Sequence, residues 1–183
     1  MSSHSTSSPS GRAARLRAAI RDVPDFPKPG IVFKDITPLL RDADLFAEAT
    51  DAMAEPFVAD GVTHVVAIES RGFILGGPIA RRLRAGFVPM RKVGKLPFRT
   101  DAEEYALEYG TDRLEMHIDA LDAGARVLVV DDVLATGGTA AAACRLAERF
   151  CGSVVGCSFL IALTQLGGLA ALSPRRVEAL LAY

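Results

Sequence analysis

The chain has 183 residues, half of them apolar, with 21 Lys and Arg against 22 Asp and Glu for a formal charge of -1. That length and apolar share predict a sizeable core. The charge balance excludes a general nucleic-acid binder, which needs surplus cations to displace counterions, and a polyacidic or disordered chain. The three cysteines, Cys144, Cys151 and Cys157, lack Cys-x-x-Cys spacing and predict a reduced, cytoplasmic protein without a structural zinc site.

In chain order, the first ten residues hold six serines, so residues 1–11 are expected as a disordered tail and residues 12–183 as a single domain. The chain shows no secretory apolar core and no run near the ~18 apolar residues of a membrane span, so neither export nor a membrane partner is expected. Gly11–Arg21 is expected as a surface helix with Leu16, Ala19 and Ile20 inward. The proline-dense stretch Asp22–Asp35 reads as irregular or briefly extended. Leu39–Val58 is predicted as one helix, His64–Glu69 as a buried strand, Ile74–Leu83 as a helix and Phe87–Met90 as a short strand. Gly94–Leu114, with Pro97, Gly110 and many charges, reads as a long functional loop of the lid kind. Arg126–Asp131 is the clearest strand, followed by a turn, the helix Thr139–Phe150 and the strand Val154–Leu163. Near-continuous apolar strands alternating with helices predict an α/β fold with a central parallel sheet flanked by helices. Ligands in such folds bind beyond the carboxyl ends of the strands, at Glu69–Gly72, Arg91–Lys92 and Asp131–Asp132.

The most informative segment is Val127–Thr139, VLVVDDVLATGGT. Gly137 and Gly138 allow a tight turn and close backbone approach. Their N–H groups, the Thr136 and Thr139 hydroxyls and the N-terminus of the following helix can surround a phosphate. Asp131 and Asp132 would repel a phosphate but can accept the vicinal hydroxyls of a ribose. A sugar phosphate meets both requirements. Neither G-x-x-x-x-G-K-[ST] nor G-x-G-x-x-G occurs, which excludes P-loop and dinucleotide readings. Glu69-Ser70-Arg71-Gly72 offers a cation, a hydroxyl and backbone donors, a second anion site after a strand. On chemistry alone, Glu103, Glu104 and Glu108 are equal candidates for a proton-transfer group.

Val127–Thr139 resembles the phosphoribosyl pyrophosphate (PRPP) signature of the type I phosphoribosyltransferases. Pro29–Pro38 (PGIVFKDITP), Glu69–Gly76 (ESRGFILG), Arg91–Pro97 (RKVGKLP) and Tyr105–Gly110 (YALEYG) resemble segments that mark the adenine-specific members, in the family's order and over about residues 12–165. The resemblance implies the type I fold, with a small N-terminal hood and a flexible lid loop, and transfer of the 5-phosphoribosyl group from PRPP to adenine, giving AMP and pyrophosphate in purine salvage. It implies that Asp131, Asp132, Ala135, Thr136, Gly137, Gly138 and Thr139 bind the ribose and 5′-phosphate. Glu69, Ser70, Arg71, Gly72, Arg91 and Lys95 would take the pyrophosphate, the two last in part across the interface of a homodimer. It selects Glu108, with Tyr109, as the catalytic pair. Phe33 would stack on adenine, the Val32 backbone read its edge and Lys34 lie nearby, with Leu160 lining the base. Mg²⁺ would arrive with PRPP, and no dedicated metal site is expected. Two positions depart from the pattern: Ala162, where the family commonly has an acid, and Gly168, where an arginine often follows the glycine.

The neutral total conceals segregation. Ser70–Thr100 holds eight Lys or Arg and no acid, whereas Asp101–Asp119 holds seven acids and one base, Arg113. The first suits a diphosphate and the second a lid with a proton-transfer group. The alternatives are transfer to a 6-oxopurine or orotate, and a nucleotide-sensing regulator of the same fold.

Overall fold

A computed structural model describes residues 9–107, 110–151 and 153–183. The chain forms two compact units, Met1–Ala49 and Thr50–Tyr183.

In the first unit, α1 (Pro9–Ala18) buries Leu16 completely, and Ile20 is buried just beyond its end. Arg21 opens β1 (Arg21–Pro24) instead of closing the helix, and β1 pairs antiparallel with β2 (Val32–Asp35). The proline-dense stretch is therefore a hairpin. Lys34–Asp22 at 2.6 Å and Arg21–Asp35 at 3.1 Å tie its strands, and Phe26 meets the edge of Phe33 at 5.2 Å. The helix expected over Leu39–Val58 is broken into α2 (Thr37–Arg41) and α3 (Ala43–Ala54) with a single-turn 3₁₀ helix after it. The break falls at Asp42, whose carboxylate accepts the N–H groups of Asp44 and Leu45 at 3.0 Å. This local bonding competes with a continuous helix.

The second unit is built on β3 (His64–Ile68), α4 (Arg71–Leu83), β4 (Gly86–Lys92), β5 (Thr100–Leu107), β6 (Gly110–His117), β7 (Arg126–Leu134), α5 (Gly138–Cys151), β8 (Ser153–Ala162), α6 (Gly168–Ala171) and β9 (Val177–Ala182). The sheet order is β5-β6-β4-β3-β7-β8-β9, parallel from β4 to β9 and antiparallel at β5 and β6. Val65–Ile68 and Val127–Val130 are almost wholly buried, as apolar runs covered on both faces require. β3 lies between β4 and β7, with Ile68 opposite Met90 and Ala67 opposite Val130. The carboxyl ends of these three strands therefore emerge together.

Three differences from the sequence reading affect the site. β7 continues through Asp131 and Asp132 to Leu134, paired with Ala162, so the acids are strand residues rather than its terminus. The stretch Gly94–Leu114, expected as irregular, contains β5 and most of β6, an antiparallel hairpin in register from Thr100–His117 to Leu107–Gly110. Its inward residues, Tyr105, Leu114 and Met116, are buried. β9 was not anticipated and closes the sheet beside β8. Cys144 on α5 and Cys157 on β8 are buried thiols with sulfurs 3.4 Å apart. Among the described residues, no helix is long and apolar enough to cross a membrane.

Candidate active site

The turn from β3 into α4 carries Glu69, Ser70, Arg71 and Gly72. Ser70 caps α4 without a side-chain hydrogen bond to the helix. A Cβ on Gly72 would lie 2.9 Å from Asp131 Oδ1 and 3.0 Å from the Val130 carbonyl oxygen. Only a glycine lets the start of α4 approach the end of β7 this closely. Glu69 is almost buried and gathers three donors. Lys95 Nζ pairs with Oε1, while the Lys92 N–H and Arg91 Nε reach Oε2 at 3.1 and 3.3 Å. Arg91 also donates to the Lys95 carbonyl at 3.0 Å. Burial opposes ionisation of Glu69, but the hydrogen bonds from Lys95, Lys92 and Arg91 outweigh it and hold the carboxyl below its usual range.

The second part is the loop from β7 into α5. Asp132 is buried, with 4% of its surface exposed, and is paired with Arg71 Nε. Asp131 accepts the Asp132 N–H at 2.8 Å. Burial, and then the charge of Asp132 beside it, push the Asp131 carboxyl well above the usual range. The loop turns at Gly137, with φ +85°, and α5 begins at Gly138. Asp131, Thr136, Gly137 and Thr139 line a small cavity of about 80 Å³ at the N-terminus of α5. That concavity has the backbone donors and helix dipole an anion needs.

A cavity of about 430 Å³ joins the two loops: Glu69, Ser70, Arg71, Asp131, Asp132 and Thr139 line it, together with Lys92, Tyr105 and Asp112. The sequence marks Lys92 only as lying at a strand end, and gives Tyr105 and Asp112 no site role. Lys92 pairs with Asp112 at 2.9 Å, which raises the ammonium pKa and lowers that of the carboxyl. Tyr105 donates to Asp112 at 3.2 Å; burial pushes its phenol up, while hydrogen bonding to Thr139 pulls the other way. Lys92 and Tyr105 stood inside quoted motifs, and strand alternation through Arg91–Lys92 could have placed Lys92 on the opposite face from Arg91. Asp112 had no local signal, because its role comes from pairing across the sheet.

Of the expected site residues, the structure thus brings together Glu69 through Gly72, Arg91 and Lys95 with Asp131, Asp132 and the loop Ala135–Thr139. Val32, Phe33 and Lys34 lie on β2 of the N-terminal unit. Leu160 is wholly buried in β8. Glu108 and Tyr109 lie outside the described residues. Gly168 has a place of its own beneath the β7–α5 loop. A Cβ there would collide with the Ala135 carbonyl oxygen and lie 2.9 Å from Leu134 Cγ. Nor is there room on Gly137, where a Cβ would be 2.8 Å from the Gly168 carbonyl. No arginine fits at 168; the following residue, Leu169, is 48% exposed.

The family described as phosphoribosyl transferase domain matches residues 39–168, and the chain belongs to that family. An adenine phosphoribosyltransferase from Myxococcus xanthus (strain DK1622) is 59% identical over 170 residues, covering 93% of this chain and 92% of its own. One from Methylococcus capsulatus is 53% identical over 169 residues, covering 92% and 99%. The crystal structure of adenine phosphoribosyltransferase from Rhodothermus marinus matches with a TM-score of 0.91 at 57% identity, over 95% of this chain and 99% of that one. The Saccharomyces cerevisiae enzyme, complexed with an imino-altritol bisphosphate and adenine, matches with 0.88 at 38% identity, over 93% and 99%. The activity is therefore that of a glycosyltransferase acting in purine salvage: the 5-phosphoribosyl group passes from PRPP to adenine, giving AMP and pyrophosphate.

Proposed function

We propose that the 430 Å³ cavity is where this transfer occurs, with PRPP spanning its two loops. The observation that carries the reading is the convergence of two unlike anion sites on a pair of acids. At one end is the β7–α5 loop, with Ala135, Thr136, Gly137, Gly138 and Thr139 as the 5′-phosphate cradle. At the other is the β3–α4 turn with its cations. Asp131 and Asp132 lie between them, within reach of the ribose hydroxyls. Asp132 is oriented by its ion pair with Arg71, and Asp131 accepts the Asp132 N–H, so both carboxyl groups are held where ribose hydroxyls can meet them.

The cations assigned to the diphosphate are already engaged, Arg71 with Asp132, and Arg91 and Lys95 with Glu69. An incoming diphosphate competes with two carboxylates for them. The pairs hold the guanidinium and ammonium groups oriented beforehand, which lowers the reorganisation needed when charge develops on the leaving group. As the anomeric carbon loses pyrophosphate it gains oxocarbenium character. Holding both reactants in line contributes up to roughly 7–11 kcal/mol in favourable cases.

Mg²⁺ is proposed to accompany PRPP. The ion would be held chiefly by phosphate oxygens and water, and it would neutralise charge on the diphosphate. Glu108 is proposed to exchange the purine proton with Tyr109 beside it, and Phe33, the Val32 backbone, Lys34 and Leu160 to serve the base. A homodimer and a cytoplasmic location complete the proposal.

The test is steady-state kinetics on three variants. Asp131→Asn and Asp132→Asn are expected to raise KM for PRPP roughly ten- to a hundredfold, the loss of a hydrogen bond to a charged group. Glu108→Ala should lower kcat more than it alters adenine affinity. Unchanged PRPP kinetics in both aspartate variants would remove the ribose assignment, and unchanged turnover would make Glu108 a bystander.

A further inference from the structure

Arg145 and Arg149 stand four residues apart on one face of α5. Both reach Glu103 on β5: Arg145 Nε donates to Oε1 at 2.6 Å and Arg149 Nη2 to Oε2 at 2.7 Å. Arg149 also donates to the Ala102 carbonyl at 2.9 Å and pairs with Asp101 at 3.3 Å. Asp101, Glu103 and Tyr105 alternate along β5 and so share one face. Reading along that face, Asp101 meets Arg149, Glu103 meets both arginines and Tyr105 meets Thr139 in the first turn of α5. The two elements are matched in length: four strand residues rise about 13 Å and ten helical residues about 15 Å.

Among the described residues, β5 is the outermost strand of its sheet and is paired only with β6. It also packs on α5, the helix whose N-terminus is the proposed phosphate cradle. A slip of one residue would turn the whole inner face outward. We propose that Glu103, clasped by Arg145 and Arg149, is a positioning residue for the transfer: it fixes the register of β5 on α5 and so holds Tyr105 beside Thr139 in the substrate cavity. The proposal rests on the assignment of that cavity to PRPP.

The experiment uses the full chain with adenine, PRPP and Mg²⁺, comparing wild type, Glu103→Gln, the pair Arg145→Gln with Arg149→Gln, and all three together. Glu103→Gln is expected to raise KM for PRPP about fivefold with a smaller change in kcat, and the triple variant to cost no more than the more impaired parent, because one clasp cannot be broken twice. Hydrogen exchange should quicken in residues 100–107. Arg149→Lys keeps the charge but loses the fork and should fall between wild type and Glu103→Gln, which keeps the test open if a harsher variant fails to fold. Wild-type PRPP kinetics in Glu103→Gln, or strictly additive losses in the triple variant, would overturn the clasp. Absence of turnover in the wild-type chain would instead overturn the cavity assignment.

Discussion

Gly168 has no room for a side chain. The Ala135 carbonyl and Leu134 occupy that space, and Gly137 faces Gly168 from the loop above with φ +85°. The two glycines let α6 support the β7–α5 loop, the proposed phosphate cradle, backbone to backbone. An alanine at 168 must displace either α6 or the loop, at a cost of about 1–3 kcal/mol for overpacking. Gly168→Ala is expected to lower Tm by roughly 2–10 °C and to raise KM for PRPP, while Leu169→Ala, at an exposed position, leaves both nearly unchanged. Calorimetry with PRPP titration checks this; a Gly168→Ala protein with wild-type Tm and KM would show that the contact has slack. In the sequence, Gly168 read as a departure bearing on base recognition. Its function was illegible there, since a glycine excluded by a distant carbonyl leaves no local pattern.

At the scale of elements, Glu69 joins the end of β3 to the end of β4 through Arg91 and Lys92, and to the segment after it through Lys95. Its carboxyl pKa is lowered in the folded protein, so the tie contributes stability above the ordinary carboxylate range and loses it as pH falls through the depressed folded value. Glu69→Gln should therefore lower Tm at pH 7, and the gap from wild type should shrink as pH falls toward 3. Parallel Tm curves over that range would mean that the cluster contributes no ionisation-linked stability. The parallel strands around this turn were legible because burial on both faces leaves apolar runs such as Val65–Ile68 and Val127–Val130. The β5–β6 hairpin was not. Its inner face begins Asp101, Glu103, and acids turned inward look like solvent-facing acids until Arg145 and Arg149 stand opposite them. The break at Asp42 was hidden for a related reason: a capping bond, not a loss of apolar spacing, ends the helix.

For the chain as a whole, the order of charges proved more informative than their balance. The basic stretch Ser70–Thr100 supplies Arg71, Arg91, Lys92 and Lys95 to the cavity rim or its pairing cluster. The acidic stretch after it is largely consumed in holding the structure, with Asp101 and Glu103 on α5, Asp112 on Lys92 and Glu115 on the Gly94 N–H at 3.0 Å. The two strand-to-helix loops proposed for PRPP stood out because their chemistry is local, a strand followed by acids, glycines and hydroxyls. The residues proposed for base recognition, Val32 to Lys34 and Leu160, are far apart in the chain, and no single motif carries them. The direct test is a panel of adenine, hypoxanthine, guanine and orotate, each supplied with PRPP and Mg²⁺, following pyrophosphate release. Release with adenine and little with the others is predicted; release with hypoxanthine, guanine or orotate and none with adenine would contradict the account.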